Sequence, residues 1–439
     1  MESTQGAPRN LASPPHWGVS SRGDGPGASV REGTGEERAP VDVDDDARTI
    51  GQRVRQIRYS RRKSLRVVAG LAGISKSTLS EIERGERAPS LKQIVALANA
   101  LEIAPSELTK LPVPAPANGH TDSTTEAVRL ALDAIDADRP GGMVLPVAVL
   151  RDQVAQIHQQ RRACQFAEVA TDLPGLIRNV HTTLATGTDH AELLDLAVYL
   201  HVHVTRLWLF HSGAPADLLR RTVFLTRRLA QERDEATALA AAMFAVADAL
   251  QAGGAFQLGR DELDSITLPP TTADTAALVG QVTTSHAVAA MLDGRPGDVA
   301  APMQAATELA ERFGATGETD SLGFVFGPVD AGIVRMWLAL EAGEPDQAAS
   351  IAREVNPERH PFPVNQAHYW IQYGRALARL RGRRDDAVLA LRTAEDLFPT
   401  KVRRDPMVRD VIAELLARSR GDAVGRELRG MAYRAGLAV

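Results

Sequence analysis

Between Gly73 and Leu91 the chain reads "GISKSTLSEIERGERAPSL", and no other run constrains the fold as tightly. Gly73 supplies a tight turn, Ser75 stands where an N-cap belongs, and Gly85 ends the helical pattern. Serine accepts a hydrogen bond from a free amide at a helix start, and glycine reaches the left-handed conformation that closes a helix. The helix between them is expected to present Lys76, Ser77, Thr78, Ser80 and Glu81 on its open face. A solvated helix usually carries long charged pairs there. Short donors and acceptors suit a helix that enters a partner.

The flanking sequence keeps the same rhythm. "RTIGQRVRQIRYSRR" sets Ile50, Val54 and Ile57 at helical spacing, with arginines on the other faces. Ser64 caps "LRVVAGLAG", Ser90 caps "LKQIVALANALEI", and Pro105 and Ser106 open a last short turn, "SELTK". Five short helices are expected within 48–110. The second and third are separated by a short turn containing glycine, the arrangement of a helix-turn-helix.

Charge singles out the same segment. The whole chain of 439 residues carries a formal net charge of −5. Residues 48–110 hold 13 Lys/Arg against 5 Asp/Glu, a net of +8, inside an otherwise acidic protein. A basic island of this kind is the electrostatic footprint of a phosphate-facing domain.

Residues 1–47 are rich in Gly, Pro, Ser and Asp without a hydrophobic period and are expected to be a disordered acidic tail. "LPVPAPANGHTDS" marks a Pro-rich linker over 111–124. From 125 to 439 apolar residues recur at i, i+3 and i+4 through segments such as "AELLDLAVYLHVHVTRLWLF" and "ATALAAAMFAVADAL", punctuated by Gly and Pro. Aromatics are only 4%, so helix is favoured over strand throughout. Serial helix pairs predict an α-solenoid. In "YWIQYGRALARLRGRRDDAVLALRTAEDLFP", Gly374, Gly382, Ala387, Leu391, Ala394 and Pro399 fit the tetratricopeptide pattern, with one extra residue between the glycines. "RMWLALEAGEPDQAASIAREVNP" fits more loosely through Gly343, Ala348 and Ala352.

On "LAGISKSTLSEIERGERAPSL" and "LKQIVALANALEIAPSEL", residues 49–109 resemble the DNA-binding domain of the Xre family, the lambda-repressor-like type of helix-turn-helix. The resemblance implies a sequence-specific bacterial transcriptional regulator in which the helix starting at Ser75 lies in the major groove. It places Lys76, Ser77 and Glu81 at base-reading positions, and the chemistry agrees: Lys donates to guanine, Ser serves either way, Glu accepts from cytosine. Ser64, Arg66, Ser75, Thr78, Ser80, Arg84 and Arg87 match positions that touch backbone or bases. Arg58 and Glu83 match a structural pair that bridges the first and third helices. Two departures stand out. Leu65 replaces a common backbone-contacting polar residue, and Arg62 and Lys63 occupy a bend often made with Gly.

The whole is therefore expected to be all-α: a five-helix DNA-binding domain joined to a tetratricopeptide-like solenoid that dimerises and takes an effector. This architecture resembles peptide-sensing regulators of the Rgg/PlcR type and regulators of high-GC bacteria. A homodimer would place two recognition helices about 34 Å apart. The partner of the solenoid is expected to be a peptide, small molecule or protein. If first helices of the repeats line a groove, Asp330, Trp337, His368 and Arg375 point into it. The alternative is an interaction scaffold that the helix-turn-helix merely tethers to DNA.

No enzyme signature is present: no phosphate loop, dinucleotide fingerprint or nucleophile elbow. His201, His203 and His211 do not suggest a metal, because on a helix the first two are about 200° apart, and no cofactor is expected. Cys164 reads as a packed helix residue, and a single cysteine excludes an internal disulfide. No apolar run approaches the roughly 18 residues needed to span a bilayer and no signal core opens the chain, so a cytoplasmic protein is expected.

Overall fold

A computed structural model describes residues 43–61, 63–109, 119–314, 322–419 and 421–437. The first five helices are α1 (Val43–Ser60), α2 (Leu65–Leu71), α3 (Lys76–Arg84), α4 (Leu91–Ala100) and α5 (Ser106–Thr109). Their starts are the anticipated caps. The Ser64, Ser75 and Ser90 hydroxyls accept from the amides of Val67, Thr78 and Gln93, and Gln93 completes a capping box by accepting from the Ser90 amide. Gly73 and Gly85 sit at φ of 65° and 74°, where an L side chain is strained. Val54, Val68, Leu79, Ile82, Leu97, Leu101 and Leu108 close a small core with essentially no exposure.

The helical domain follows as α6 (Gly119–Asp136), α7 (Val147–Arg162), α8 (Phe166–Leu184) and α9 (His190–Leu200). A five-residue π-helical segment, His201–Thr205, runs without a break into α10 (Arg206–Ser212). Next come α11 (Ala216–Arg233), α12 (Ala236–Ala252), α13 (Phe256–Asp264), α14 (Ala273–Leu292) and α15 (Ala300–Phe313). The last are α16 (Pro328–Glu341), α17 (Pro345–Glu354), α18 (Pro363–Arg379), α19 (Arg384–Leu397), α20 (Pro399–Arg404), α21 (Pro406–Ala417) and α22 (Ala423–Arg434). The described residues contain no strand.

Successive helices pack on one another, and α12, α14, α16 and α18 each also touch the next in that series. Such neighbour-on-neighbour packing is how a helical stack buries a continuous core. Gly374 of α18 shows why small residues are needed between paired helices: a Cβ there would lie 2.8 Å from the Leu391 side chain of α19. The stack also folds back, for α18 touches α7 and α20 touches α10. Residues Asp44–Val439 thus form one compact unit.

Several expectations change. Residues 1–42 of the expected acidic tail lie outside the described residues, but α1 already begins at Val43. Residues 111–118 of the expected linker also lie outside the described residues, as does Lys110, and from Gly119 the rest of the linker is helix α6. Cys164 is not in a helix. It occupies the turn between α7 and α8 at φ of 60°, half-buried, and burial pushes its thiol up to about 12. The continuous helix His190–Ser212 is long and apolar enough to span a bilayer by length and composition, contrary to expectation. Its apolar stretch is 72% buried against the protein's own helices, so a core position explains the composition.

Candidate functional site

The helix-turn-helix is formed by α2 and α3, which pack on each other around Val68, Leu79 and Ile82. On α3 the buried side chains are Leu79, Ile82 and Glu83. Lys76, Ser77, Ser80, Glu81 and Arg84 fall within an arc of about 140° on the opposite side, at 100° per residue. Lys76, Ser77 and Arg84 are exposed, and Thr78, Ser80 and Glu81 are partly so. Ser75 is exposed but its hydroxyl is occupied: it accepts from the Thr78 amide at 3.0 Å and lies 2.8 Å from the hydroxyls of Ser77 and Thr78. Ser75 therefore sets the direction of the first turn, while Lys76 leaves it with its ammonium in solvent.

Ser64 and Arg66, at the start of α2, are exposed as well. Arg84 pairs with Glu86 at 2.7 Å, and Arg87 pairs loosely with Glu81 at 3.7 Å. Exposed pairs of this kind contribute roughly 0–1 kcal/mol, little enough for a phosphate to displace the carboxylate. Beneath this face Arg58 and Glu83 form a two-pronged ion pair. Arg58 Nε and Nη2 donate to the Glu83 carboxylate at 2.7 and 2.8 Å, with both side chains only 6% exposed. The Arg58 Nη1 also donates to the Lys63 carbonyl at 3.2 Å. This ties α1 and α3 to the bend before α2, so the two residues are engaged inside the domain.

The helix-turn-helix domain docks on the end of the helical stack. Arg61 pairs with Glu427 at 2.7 Å, and Arg429 pairs with Glu107. Glu102 accepts from Lys63 at 3.2 Å and from Arg392 at 2.8 Å. A Cβ on Gly430 of α22 would sit 2.7 Å from the Glu102 carbonyl oxygen, so the backbones meet directly.

A cavity of about 290 Å³ lies deeper in the helical domain, lined from α7, α10, α12, α14, α18 and the segment before α16. Its walls include Phe244, Phe324 and Phe362, and its polar groups include Arg161, Arg162, Arg206, His211 and His368. Of the four anticipated groove residues only His368 lines this space. Asp330 is buried and accepts from Asn365, a lining residue, at 2.8 Å. Trp337 belongs instead to a separate apolar cluster with Ala287, Met303 and Leu338. Arg375 is taken up by Glu341 and Gln372, at 2.9 and 2.7 Å. The expectation of one shared groove is therefore corrected. Asp330 and Arg375 are instead used between α16 and α18, through Asn365 and Glu341, and Trp337 packs toward α14 and α15.

The histidines are packing groups. His181 Nε2 lies 2.9 Å from His201 Nε2, whereas His203 stacks on His158 at 5.5 Å between ring centres. Among the described residues no group of three His, Cys, Asp or Glu is placed to hold a metal. Burial drives His158, His201, His203 and His211 well below the usual histidine range, with neighbouring cations or imidazoles adding to it.

The cavity arginines escaped the sequence reading. One cue existed: Leu150, Val154 and Ile157 run along one face of α7, and Arg161 continues that stripe one turn further.

Comparison with known proteins adds the following. Residues 49–111 match the family model of a helix-turn-helix domain, which covers less than half of the chain. No curated protein matches the sequence. Among solved structures the chain is similar to PlcR of Bacillus thuringiensis in complex with the peptide PapR7 and DNA. That alignment has 13% identity, covers 80% of this chain and 95% of that one, and scores a TM-score of 0.27. It is also similar to the apo form of the competence regulator ComR from Streptococcus vestibularis, at 14% identity over 80% of this chain and 97% of that one, with a TM-score of 0.28. ComR from S. thermophilus, in complex with DNA and its signalling peptide ComS, aligns at 14% identity over 84% and 99%, with a TM-score of 0.24. Likenesses this loose carry no argument about ligand or partner. The match that bears on function is the helix-turn-helix domain over residues 49–111.

Proposed function

We propose that the protein is a sequence-specific DNA-binding transcriptional regulator whose α3 enters the major groove. One observation carries the reading. A capped, rigidly backed helix presents a face of exposed short polar and basic side chains, within a domain matched as a helix-turn-helix. In this reading Lys76, Ser77 and Glu81 contact base edges, and Arg66, Arg84 and Arg87 contact phosphates. Arg58 and Glu83 hold α3 at its angle to α1 and do not touch DNA. The protein acts as a homodimer of Xre type, with two copies of α3 set about one helical turn apart.

The helical domain, a solenoid of tetratricopeptide type, takes a peptide or small-molecule effector. The internal cavity supports that part, being a concave space in which aromatic walls meet convergent arginine, histidine and amide groups. An effector that binds one arrangement of the stack better than another shifts DNA affinity by that difference alone. The ion pairs at the docking corner give the shift a physical route, since α19 and α22 touch the DNA-facing domain directly. The protein is not an enzyme in this reading and works in the cytoplasm.

Selection of duplexes from a random pool tests the proposal. Wild-type protein should enrich a two-fold related site with half-sites about one helical turn apart. Lys76→Ala/Ser77→Ala should enrich no site or a different one. Enrichment of the same site by both proteins would remove base reading from α3.

A further inference from the structure

Buried arginines normally meet carboxylates, because an unpaired charge in a dry site is costly. Arg161 breaks this rule. It is 6% exposed and makes one hydrogen bond, from Nη2 to His158 Nε2 at 3.3 Å, while its Nε has no partner. The His158 Nδ1 is 2.6 Å from the Tyr199 hydroxyl, so the ring donates there and accepts from Arg161. Asp248 is the one carboxylate among the described residues lining the cavity, and it is bound to Arg206. Arg162 donates to the Gly323 carbonyl at 3.0 Å and lies over the Phe362 ring at 4.2 Å. Two further cations therefore crowd Arg161 without neutralising it. Burial, followed by the charges of Arg162 and Arg206, pulls it down to about 9. His211, on the same wall, keeps a buried Nδ1 with no partner.

We propose that this cavity binds an apolar carboxylate whose charge is anchored by Arg161. The proposal deepens the regulator reading, in which the helical domain takes an effector, by naming the effector's chemistry. The fit is one of charge and shape. One uncompensated guanidinium calls for one negative charge, and a planar fork of donors matches a carboxylate. Phe244, Phe324, Phe362 and Val364 supply the apolar wall. The volume of about 290 Å³ holds a single aromatic or branched group with its carboxylate, not a long chain. Phe210, 44% exposed at the rim, marks the opening. Two sources present this chemistry: a free small carboxylic acid, and the C-terminal residue of a peptide.

The test is calorimetric titration of the full chain with four probes. These are 3-phenylpropionate, its primary amide, and N-acetyl-Ala-Ala-Leu-Phe with a free or an amidated C-terminus. Binding of at least one free carboxylate, at least tenfold tighter than its amide, is the expected result. Acid alone, peptide alone or both identify the source, and each supports the proposal. Arg161→Met should reduce carboxylate binding to the level of the amide. It should not lower the thermal midpoint of the free protein, because a buried, uncompensated charge has been removed. Equal binding of carboxylate and amide, binding of neither carboxylate, or unchanged carboxylate binding by Arg161→Met would overturn the assignment. The carboxylate-to-amide comparison uses wild-type protein, so it stands even where the variant folds poorly. Duplex binding measured on the same preparation reports the regulator reading separately. Carboxylate preference without specific DNA binding leaves the cavity assignment intact and removes the regulator.

Discussion

Arg392 Nη2 donates to the Glu102 carboxylate across 2.8 Å, joining residues 290 positions apart in the chain. Glu102 belongs to the turn after α4 of the helix-turn-helix domain, and Arg392 lies on α19 of the helical stack. Glu427 extends the link by pairing with Arg61 at 2.7 Å and with Arg392 at 3.5 Å. The orientation of α3 relative to the stack is therefore set at a corner made of ion pairs. That composition suits a joint that has to shift, because partly exposed pairs are individually weak.

Glu102→Gln should loosen this joint without unfolding either part. The two side chains are 19% and 37% exposed, so the loss is expected to be about 1 kcal/mol or less. Hydrogen exchange of residues 97–109 should quicken while the main thermal transition stays within a few degrees.

Glu395 behaves differently. It is 1% exposed and accepts from Arg434 at 2.7 and 2.8 Å, from Arg403 at 2.8 Å and from Arg392 at 3.2 Å. Against the cost of burial, hydrogen bonds and charge from Arg434 and Arg403 hold its carboxyl down to about 2. Glu395→Gln removes the one buried charge that Arg434, Arg403 and Arg392 share and should cost roughly 3–5 kcal/mol. Denaturant melts of the two variants should differ clearly, with Glu395→Gln far the worse.

The buried histidines make the protein acid-sensitive. An unfolded histidine takes up a proton below about pH 6.5. In the fold, burial lowers His181 to about 4 and His368 to about 3. Between those limits the unfolded chain binds more protons, so stability is full above about pH 6.5 and falls as pH drops. Each such group should cost roughly 2 kcal/mol at pH 5. The thermal midpoint should drop between pH 7.5 and pH 5.5, and His181→Gln should flatten that slope by keeping a hydrogen-bonding group opposite His201 that takes no proton.

Ser75 and Ser77 are neighbours with separable roles. The Ser75 hydroxyl caps α3, so Ser75→Ala should cost about 1 kcal/mol of stability. Ser77 is exposed and caps nothing, so Ser77→Ala should change stability by about 0.5 kcal/mol at most. Ser77→Ala should nevertheless weaken binding to a selected duplex, and thermal melts beside binding curves separate the two effects.

The helix-turn-helix domain was largely legible in the sequence because its signals are local. Three serine caps, Gly73, Gly85 and a run of basic residues each act within a few positions of themselves. The helical character of the rest was legible for the same reason, from apolar spacing. The cavity was not. Arg161 looks like any helix-end cation, and its burial depends on α18 folding back against α7. The placement of Trp337 and Arg375 was missed because a repeat frame read one pair at a time does not contain the contacts between pairs, α16 with α14 and α15 for Trp337 and α18 with α16 for Arg375. Helix starts at Val43 and Gly119 were missed because composition had marked those stretches as tail and linker.

The most direct measurement of the central claim is fluorescence anisotropy of a selected duplex and a scrambled duplex across a salt series, for wild type and Lys76→Ala/Ser77→Ala. If α3 reads bases, wild type should prefer the selected duplex by at least about a thousandfold. The double variant should lose most of that preference while keeping its affinity for scrambled DNA, less about one unit of salt slope from the lost Lys76 charge. Equal affinity of wild type for both duplexes, unchanged by the substitutions, would contradict major-groove reading by α3 and leave only a tether to DNA.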